Sequence, residues 1–122
     1  MEDNKKATFR PLYRQDGTSE FEEFYEQLPD KDRQKLLLII ANTEEKGMQI
    51  AMRQSWVKKL DTNLYELRSK VGTNIQRALY FQKVGSEYLI THGFTKRTQK
   101  TPKKEIEHAK NLREKYLKGE LL

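Results

Sequence analysis

The chain has 122 residues, no cysteine, and 24 Lys and Arg against 18 Asp and Glu, for a net charge of +6. With 35% hydrophobic residues this length suits one modest core, so residues 1–122 are read as a single domain; the lack of cysteine excludes disulfides, thiolate metal sites and a thiol nucleophile. The longest apolar run, residues 36–41, is too short for a bilayer and the acidic start MEDNKKATF lacks the apolar core of a signal peptide, so a cytoplasmic protein without a membrane partner is expected.

In chain order, KATFRPLY alternates and predicts a first strand, placed at a sheet edge by Pro11, whose missing N–H cannot serve a central ladder. QDGTSE supplies a turn. Ser19 with Glu22 forms a capping-box pattern, and Phe21, Phe24, Tyr25 and Leu28 recur at helical spacing, predicting a short helix with its apolar stripe toward the core. LPDKDRQ interrupts it; Asp30 is the expected N-cap of a second helix that ends at Gly47 as its C′ residue, and the two helices form an antiparallel hairpin. Residues 48–63 have no clean period and read as a connection with a short helical turn, leading into a strand near residues 57–60.

Three alternating stretches follow, LYELRSKV, NIQRALYFQKV and SEYLITHGFTK, joined by short glycine-containing links that favour antiparallel neighbours. Thr101 and Pro102 then mark the N-cap and first position of a terminal helix, with Ile106, Ala109, Leu112 and Tyr116 on one face and an end at Gly119. The order βααβββα, with helices segregated from a run of strands, defines an α+β domain.

The charge is uneven: residues 1–47 carry 8 basic and 11 acidic side chains, residues 48–94 carry 7 and 3, and residues 95–122 carry 9 and 4. The basic C-terminal portion fits a polyanion, nucleic acid before membrane, although lysine-rich faces are often only solvated surface. Lys96, Arg97, Lys100, Lys103 and Lys104 crowd where the last strand passes into the terminal helix. Cations are unfavourable at a helix N-terminus, so their presence there favours a bound phosphate; the alternative is lysines that snorkel into water, with Glu105 and Glu107 as local compensation.

Period two places Arg68 with Glu66 and Lys70, away from the more apolar Tyr65, Leu67 and Val71. Arg77 shares a face with Ile75, Leu79 and Phe81 and so needs an anion or a route to solvent; a phosphate and a salt bridge to Glu66 or Glu87 are both open. His92, Phe94 and Lys96 share a face of the last strand: a proton carrier, a ring able to stack on a base and a cation able to hold a phosphate. Taken singly, a histidine or phenylalanine there is more often structural. Two histidines without cysteine offer no metal-ligand spacing, and there is neither a Walker-type loop nor a G-x-S-x-G elbow, so no metal or other cofactor is expected. Trp56 reads as a packing anchor.

In order along the chain, WVKKLDTNLYELRSK, QRALYF and ITHGFTKRTQKTPKKEIEHAK resemble the HigB-type toxins of the RelE/ParE superfamily, in particular the phage-derived branch, and DGTSEFEEFYEQL extends the likeness over nearly the whole chain. The resemblance implies an N-terminal helical hairpin packed on an antiparallel sheet with a C-terminal helix. It also implies a toxin of a type II toxin–antitoxin pair, a metal-independent endoribonuclease (mRNA interferase) that cuts mRNA in the A site of the 70S ribosome. Such a toxin inhibits translation and is neutralised by a helix-turn-helix, HigA-like antitoxin. Carried onto this chain, the family's arginines are Arg68 and Arg77, its basic groups after the last strand are Lys96, Arg97 and Lys100, and its basic pair ahead of YELR is Lys58 and Lys59. With the reading of the residues themselves, Arg68, Arg77, His92 and Lys96 become the catalytic candidates, and Lys58, Lys59, Phe94, Arg97, Lys100 and Lys103 the RNA-binding ones.

One departure matters. Well-studied RelE enzymes have a lysine in the strand that here reads LYELR and a tyrosine near the C-terminal helix, whereas here Glu66 stands in that strand and Tyr116 lies well along the helix, which leaves the general base unassigned. Attack of an RNA 2′-OH on the adjacent phosphate needs that base, cations at the phosphorane, which Arg68 and Arg77 suit, and an acid for the leaving oxygen, such as His92 or a lysine of lowered pKa. Competing readings are a ParE-like gyrase inhibitor, a non-catalytic basic nucleic-acid-binding module, and a catalytically dead relative that binds its antitoxin and regulates their shared promoter.

Overall fold

The computed structural model describes residues 5–120, and these form β1 (Thr8–Pro11), α1 (Glu20–Glu26), α2 (Asp30–Lys46), α3 (Met48–Arg53), β2 (Val57–Asp61), β3 (Leu64–Val71), β4 (Asn74–Val84), β5 (Glu87–Lys96) and α4 (Lys103–Leu117). The class is α+β, as the sequence predicts. The strands make one sheet in the order β1-β5-β4-β3-β2, antiparallel except that β1 runs parallel to β5 from Thr8 opposite Glu87 to Pro11 opposite Ile90. The sheet is therefore mixed rather than antiparallel. β1 has no hairpin partner to set its direction, so its docking site decides it: Phe9 packs between Tyr80 and Tyr88, with ring centroids 4.8 and 5.5 Å away, and the Phe9 N–H donates to the Glu44 carboxylate of α2 at 2.9 Å.

The stretch of residues 48–63 resolves into a six-residue helix and a strand, giving the order βαααββββα. Gly47, at φ 91°, ends α2 with its N–H on the Thr43 carbonyl and lets α3 start at once in a new direction. Trp56 N–H then donates to Ala51 O at 2.9 Å while Trp56 O accepts from Arg68 N–H at 2.8 Å, so the turn out of α3 is already bonded into the sheet. Elements this short never complete the two turns that a helical period needs to be read.

Ser19 caps α1 as expected, its hydroxyl accepting from the Glu22 N–H at 3.3 Å. Two other caps shift by one residue. Pro29 and Pro102, not Asp30 and Thr101, occupy the N-cap positions of α2 and α4, so Lys103 and Lys104 take the first two helical positions of α4. The predicted hairpin of helices is spread over the sheet, α1 lying on β5 and α2 on β3.

Both faces of the sheet are covered. Phe21, Leu36, Ile39 and Ala51 of the three N-terminal helices, with Leu28 from the link between the first two, meet Val57, Leu67, Ala78, Tyr80 and Ile90 on one face. On the other, α4 lays Ile106, Ala109, Leu112 and Tyr116 over Leu64, Leu79, Phe81 and Leu89, the apolar stripe read from its sequence. Each fully buried leucine contributes about 1.5–3 kcal/mol relative to exposure. The double cover makes the Glu66, Arg68 and Lys70 side of β3 uneven: Glu66 is 0% exposed beneath the segment that leads into α4, Arg68 is partly buried and Lys70 is exposed.

α1 reaches the sheet through a gap left by Gly93. A Cβ there would stand 2.4 Å from Phe24 Cδ2, 2.6 Å from Phe24 Cε2 and 3.0 Å from the Arg77 carbonyl. Gly93→Ala should therefore destabilise the fold by about 1–3 kcal/mol through overpacking, and adding Phe24→Leu should return part of that loss. Thermal unfolding of the two variants checks this, and a Gly93→Ala protein as stable as wild type would show that α1 does not need the gap.

Candidate functional site

Cross-strand register gathers the polar side chains of the α4 face. Arg68 pairs with Arg77 and Arg77 with Phe94; in the adjoining row Lys58 pairs with Glu66, Glu66 with Leu79, and Leu79 with His92. Directly opposed residues share a face, so Lys58, Glu66, Arg68, Arg77 and Phe94 form one neighbourhood. Lys59 pairs with Tyr65 and lies on the opposite face.

Glu66 is the centre of that neighbourhood. Its Oε1 accepts from Arg68 Nε and lies 4.0 Å from Arg77 Nε, and its Oε2 accepts from the Thr101 hydroxyl at 2.5 Å. Thr101, drawn into this bond, cannot cap α4. Of the two sequence alternatives for the partner of Arg77, Glu66 is the carboxylate beside it, and Glu87 stands at the other end of β5.

The two arginines sit differently. Arg77 is 0% exposed; Nη1 donates to Thr101 Oγ1 at 3.3 Å, Nη2 donates to the Thr98 carbonyl, its guanidinium lies 5.9 Å from the centre of the Phe94 ring, and Nε has no hydrogen-bond partner among the described residues. Burial lowers its pKa from the ordinary value and the Arg68 charge adds to that, while Glu66 opposes both. The Arg68 side chain is 17% exposed, with Nη2 donating to the Gln99 carbonyl at 2.7 Å and Nη1 to Gln99 Oε1 at 3.4 Å. Both arginines thus hold residues 97–101, a strap between β5 and α4, by its own neutral oxygens.

The strap and its flanks display Lys96, Arg97, Lys100, Lys103 and Lys104, all exposed, and none of them forms an ion pair among the described residues. Glu105, the nearest candidate to compensate them, turns its carboxylate to His92 instead. With two arginines against one glutamate beneath the strap, this end of the molecule keeps an uncompensated positive field suited to a phosphate chain.

His92 belongs to another cluster. It is buried, Nε2 lying 3.1 Å from Glu105 Oε1 and Nδ1 3.0 Å from Thr91 Oγ1, with the His108 ring centred 4.8 Å away and His108 Nε2 bonded to Glu20 at 2.8 Å. Leu79 separates it from Glu66 in register, and both of its nitrogens are already engaged. Phe94 stacks on His92 at 6.2 Å, so its ring is committed between His92 and Arg77. Sequence reasoning missed Thr101 and the strap carbonyls, which no residue pattern distinguishes, and it noted Glu66 without its burial.

Burial, then the charge of His108, holds the His92 pKa below its ordinary value of 6.5, with Glu105 and Glu20 opposing. A histidine depressed in the folded state favours folding when neutral, so its contribution is complete above about pH 6.5 and is lost as pH falls from there toward the folded value. Thermal unfolding followed through that window should decline for the wild type and run flatter for His92→Gln. Equal slopes would assign the pH dependence to another group.

No three His, Cys, Asp or Glu side chains converge to hold a metal among the described residues, and no helix there is long and apolar enough to cross a membrane. No curated protein matches the chain. A family model does, over residues 23–114, which includes β2 to β5, the strap and most of α4. The chain belongs to the phage-derived Gp49-like protein family (DUF891), a toxin-like family related to RelE and HigB.

Proposed function

We propose that this chain is the toxin of a type II toxin–antitoxin pair and, more specifically, a HigB-like, ribosome-dependent mRNA endoribonuclease. The observation that carries the reading is the Arg68 fork. A buried carboxylate holds its Nε, and its Nη edge opens toward the strap, so a phosphodiester would meet an oriented guanidinium beside exposed cations. Family membership supports the toxin class.

In the proposed reaction the RNA 2′-oxygen loses its proton and bonds to the adjacent phosphorus. The P–O5′ bond then breaks and the leaving oxygen takes up a proton, yielding a cyclic 2′,3′-phosphate and a 5′-hydroxyl. Arg68 would stabilise charge on the phosphorane oxygens, and Lys58, Lys96, Arg97, Lys100 and Lys103 would hold the flanking backbone. Arg77 would act from beneath, through the strap. Lys59 faces away, and His92 stays outside the reacting centre, so the proton carriers are not assigned. The 70S ribosome would present the mRNA in its A site in the cytoplasm, and a helix-turn-helix antitoxin would silence the toxin.

The test is inducible expression of wild type and Arg68→Ala, with 5′ ends mapped on a translated and an untranslated copy of one transcript. New ends only in the translated copy, reduced about 10²- to 10³-fold by the substitution, are expected. Growth arrest without new ends would replace this reading with gyrase inhibition, and neither effect would leave a basic binding module. Arg77→Ala is the less clean probe because it leaves a cavity under the strap and Glu66 with one cation fewer.

A further inference from the structure

We infer that Glu66 is the positioning residue of this anion site: a carboxylate that touches no substrate but sets the direction of the Arg68 fork and the seat of the basic strap. The inference deepens the proposed function and rests on it for its kinetic readout. Glu66 is 0% exposed and both oxygens are occupied, Oε1 by Arg68 Nε and Oε2 by Thr101, so it can neither reach an RNA hydroxyl nor serve as its base.

Its placement answers an electrostatic problem. Arg68 and Arg77 stand directly opposite each other on β3 and β4, where like charges repel, and Glu66 is the carboxylate that lies against the Nε of both. Binding Arg68 through Nε leaves the other edge of that guanidinium to point outward, where among the described residues it donates to the two Gln99 oxygens. A phosphate oxygen carries charge and makes a stronger bond to guanidinium than an amide or carbonyl oxygen, so substrate can displace Gln99 while Glu66 keeps its hold on Nε. Through Thr101 the same carboxylate fixes the point where the strap enters α4, next to Lys100 and Lys103. Arg77, closed in and bonded to Thr98 and Thr101, completes the support from below.

The charge matters as well as the shape. Glutamine has the same size but brings an NH₂ that faces donors already present, and it leaves two guanidinium groups with no counter-charge beneath the strap. Aspartate keeps the charge and retracts it by one methylene.

The experiment compares full-length wild type, Glu66→Gln and Glu66→Asp with two readouts. In protein carrying isotope-labelled arginine, the Arg68 Nε–H resonance, assigned by its loss in Arg68→Lys, should be protected from water exchange in wild type, exposed in Glu66→Gln and partly protected in Glu66→Asp. In single-turnover cleavage on programmed ribosomes, Glu66→Gln should lower the maximal rate roughly 10²-fold, with the half-saturating ribosome concentration moving less than about threefold, and Glu66→Asp should recover part of the rate. An Arg68 resonance indifferent to Glu66→Gln, or a Gln variant that cuts at the wild-type rate, would overturn the inference. A wild type that cuts nothing would overturn the nuclease reading alone, and the resonance would then decide Glu66 by itself. Should Glu66→Gln not fold, the Asp variant carries the same comparison.

Discussion

β4 runs through the middle of a sheet whose two faces are both covered, and everything distinctive about the site depends on that. From Ile75 to Phe81 every side chain of the strand is buried, including Gln76 and Arg77. A buried guanidinium needs counter-charge and acceptors close by, and the fold supplies them from three places: Glu66 on the neighbouring strand, Thr101 at the entrance to α4, and the Thr98 carbonyl between. Gln76 meets the same demand on the other face by donating to Asp32 at 2.6 Å and accepting from Thr95 at 2.6 Å.

That solution ties the strap to the core. Residues 97–101 are exposed apart from Thr101, yet they are held at three points by groups that lie beneath them. Fixing the strap also fixes its cations, which stand near the N-terminus of α4, where the helix dipole is unfavourable to positive charge. The cost is local and the consequence is a field aimed outward. Ion pairs elsewhere, such as Lys110 with Asp61 and Arg14 with Glu23, neutralise side chains that have no such task.

A second polar cluster is arranged for a different end. His92 and Glu105 join β5 to α4, and His108 and Glu20 join α4 to α1, so two helices from opposite ends of the chain meet around a pair of imidazoles. Its position within the packing between elements makes it part of the scaffold. Arg68 and the strap face outward instead, and the family match, over residues 23–114, includes Arg68, the strap and the two histidines but not Glu20.

Much of this was legible in the sequence. The alternation of LYELRSKV, NIQRALYFQKV and SEYLITHGFTK predicts three strands close to their observed limits, and Ile106, Ala109, Leu112 and Tyr116 predict the buried stripe of α4, because those periods are properties of the local backbone. The grouping of Ile75, Arg77, Leu79 and Phe81 on one face follows from the same rule. What period two cannot say is whether a face meets water or another layer, and so the sequence alone leaves open whether Arg77 meets a phosphate or a carboxylate such as Glu66. Only the packing of the strap and α4 across the sheet, far away in the chain, leaves Glu66 and Arg77 fully buried and Arg68 partly exposed. Direction along a strand is encoded by neighbours in sequence, whereas desolvation is decided by neighbours in space.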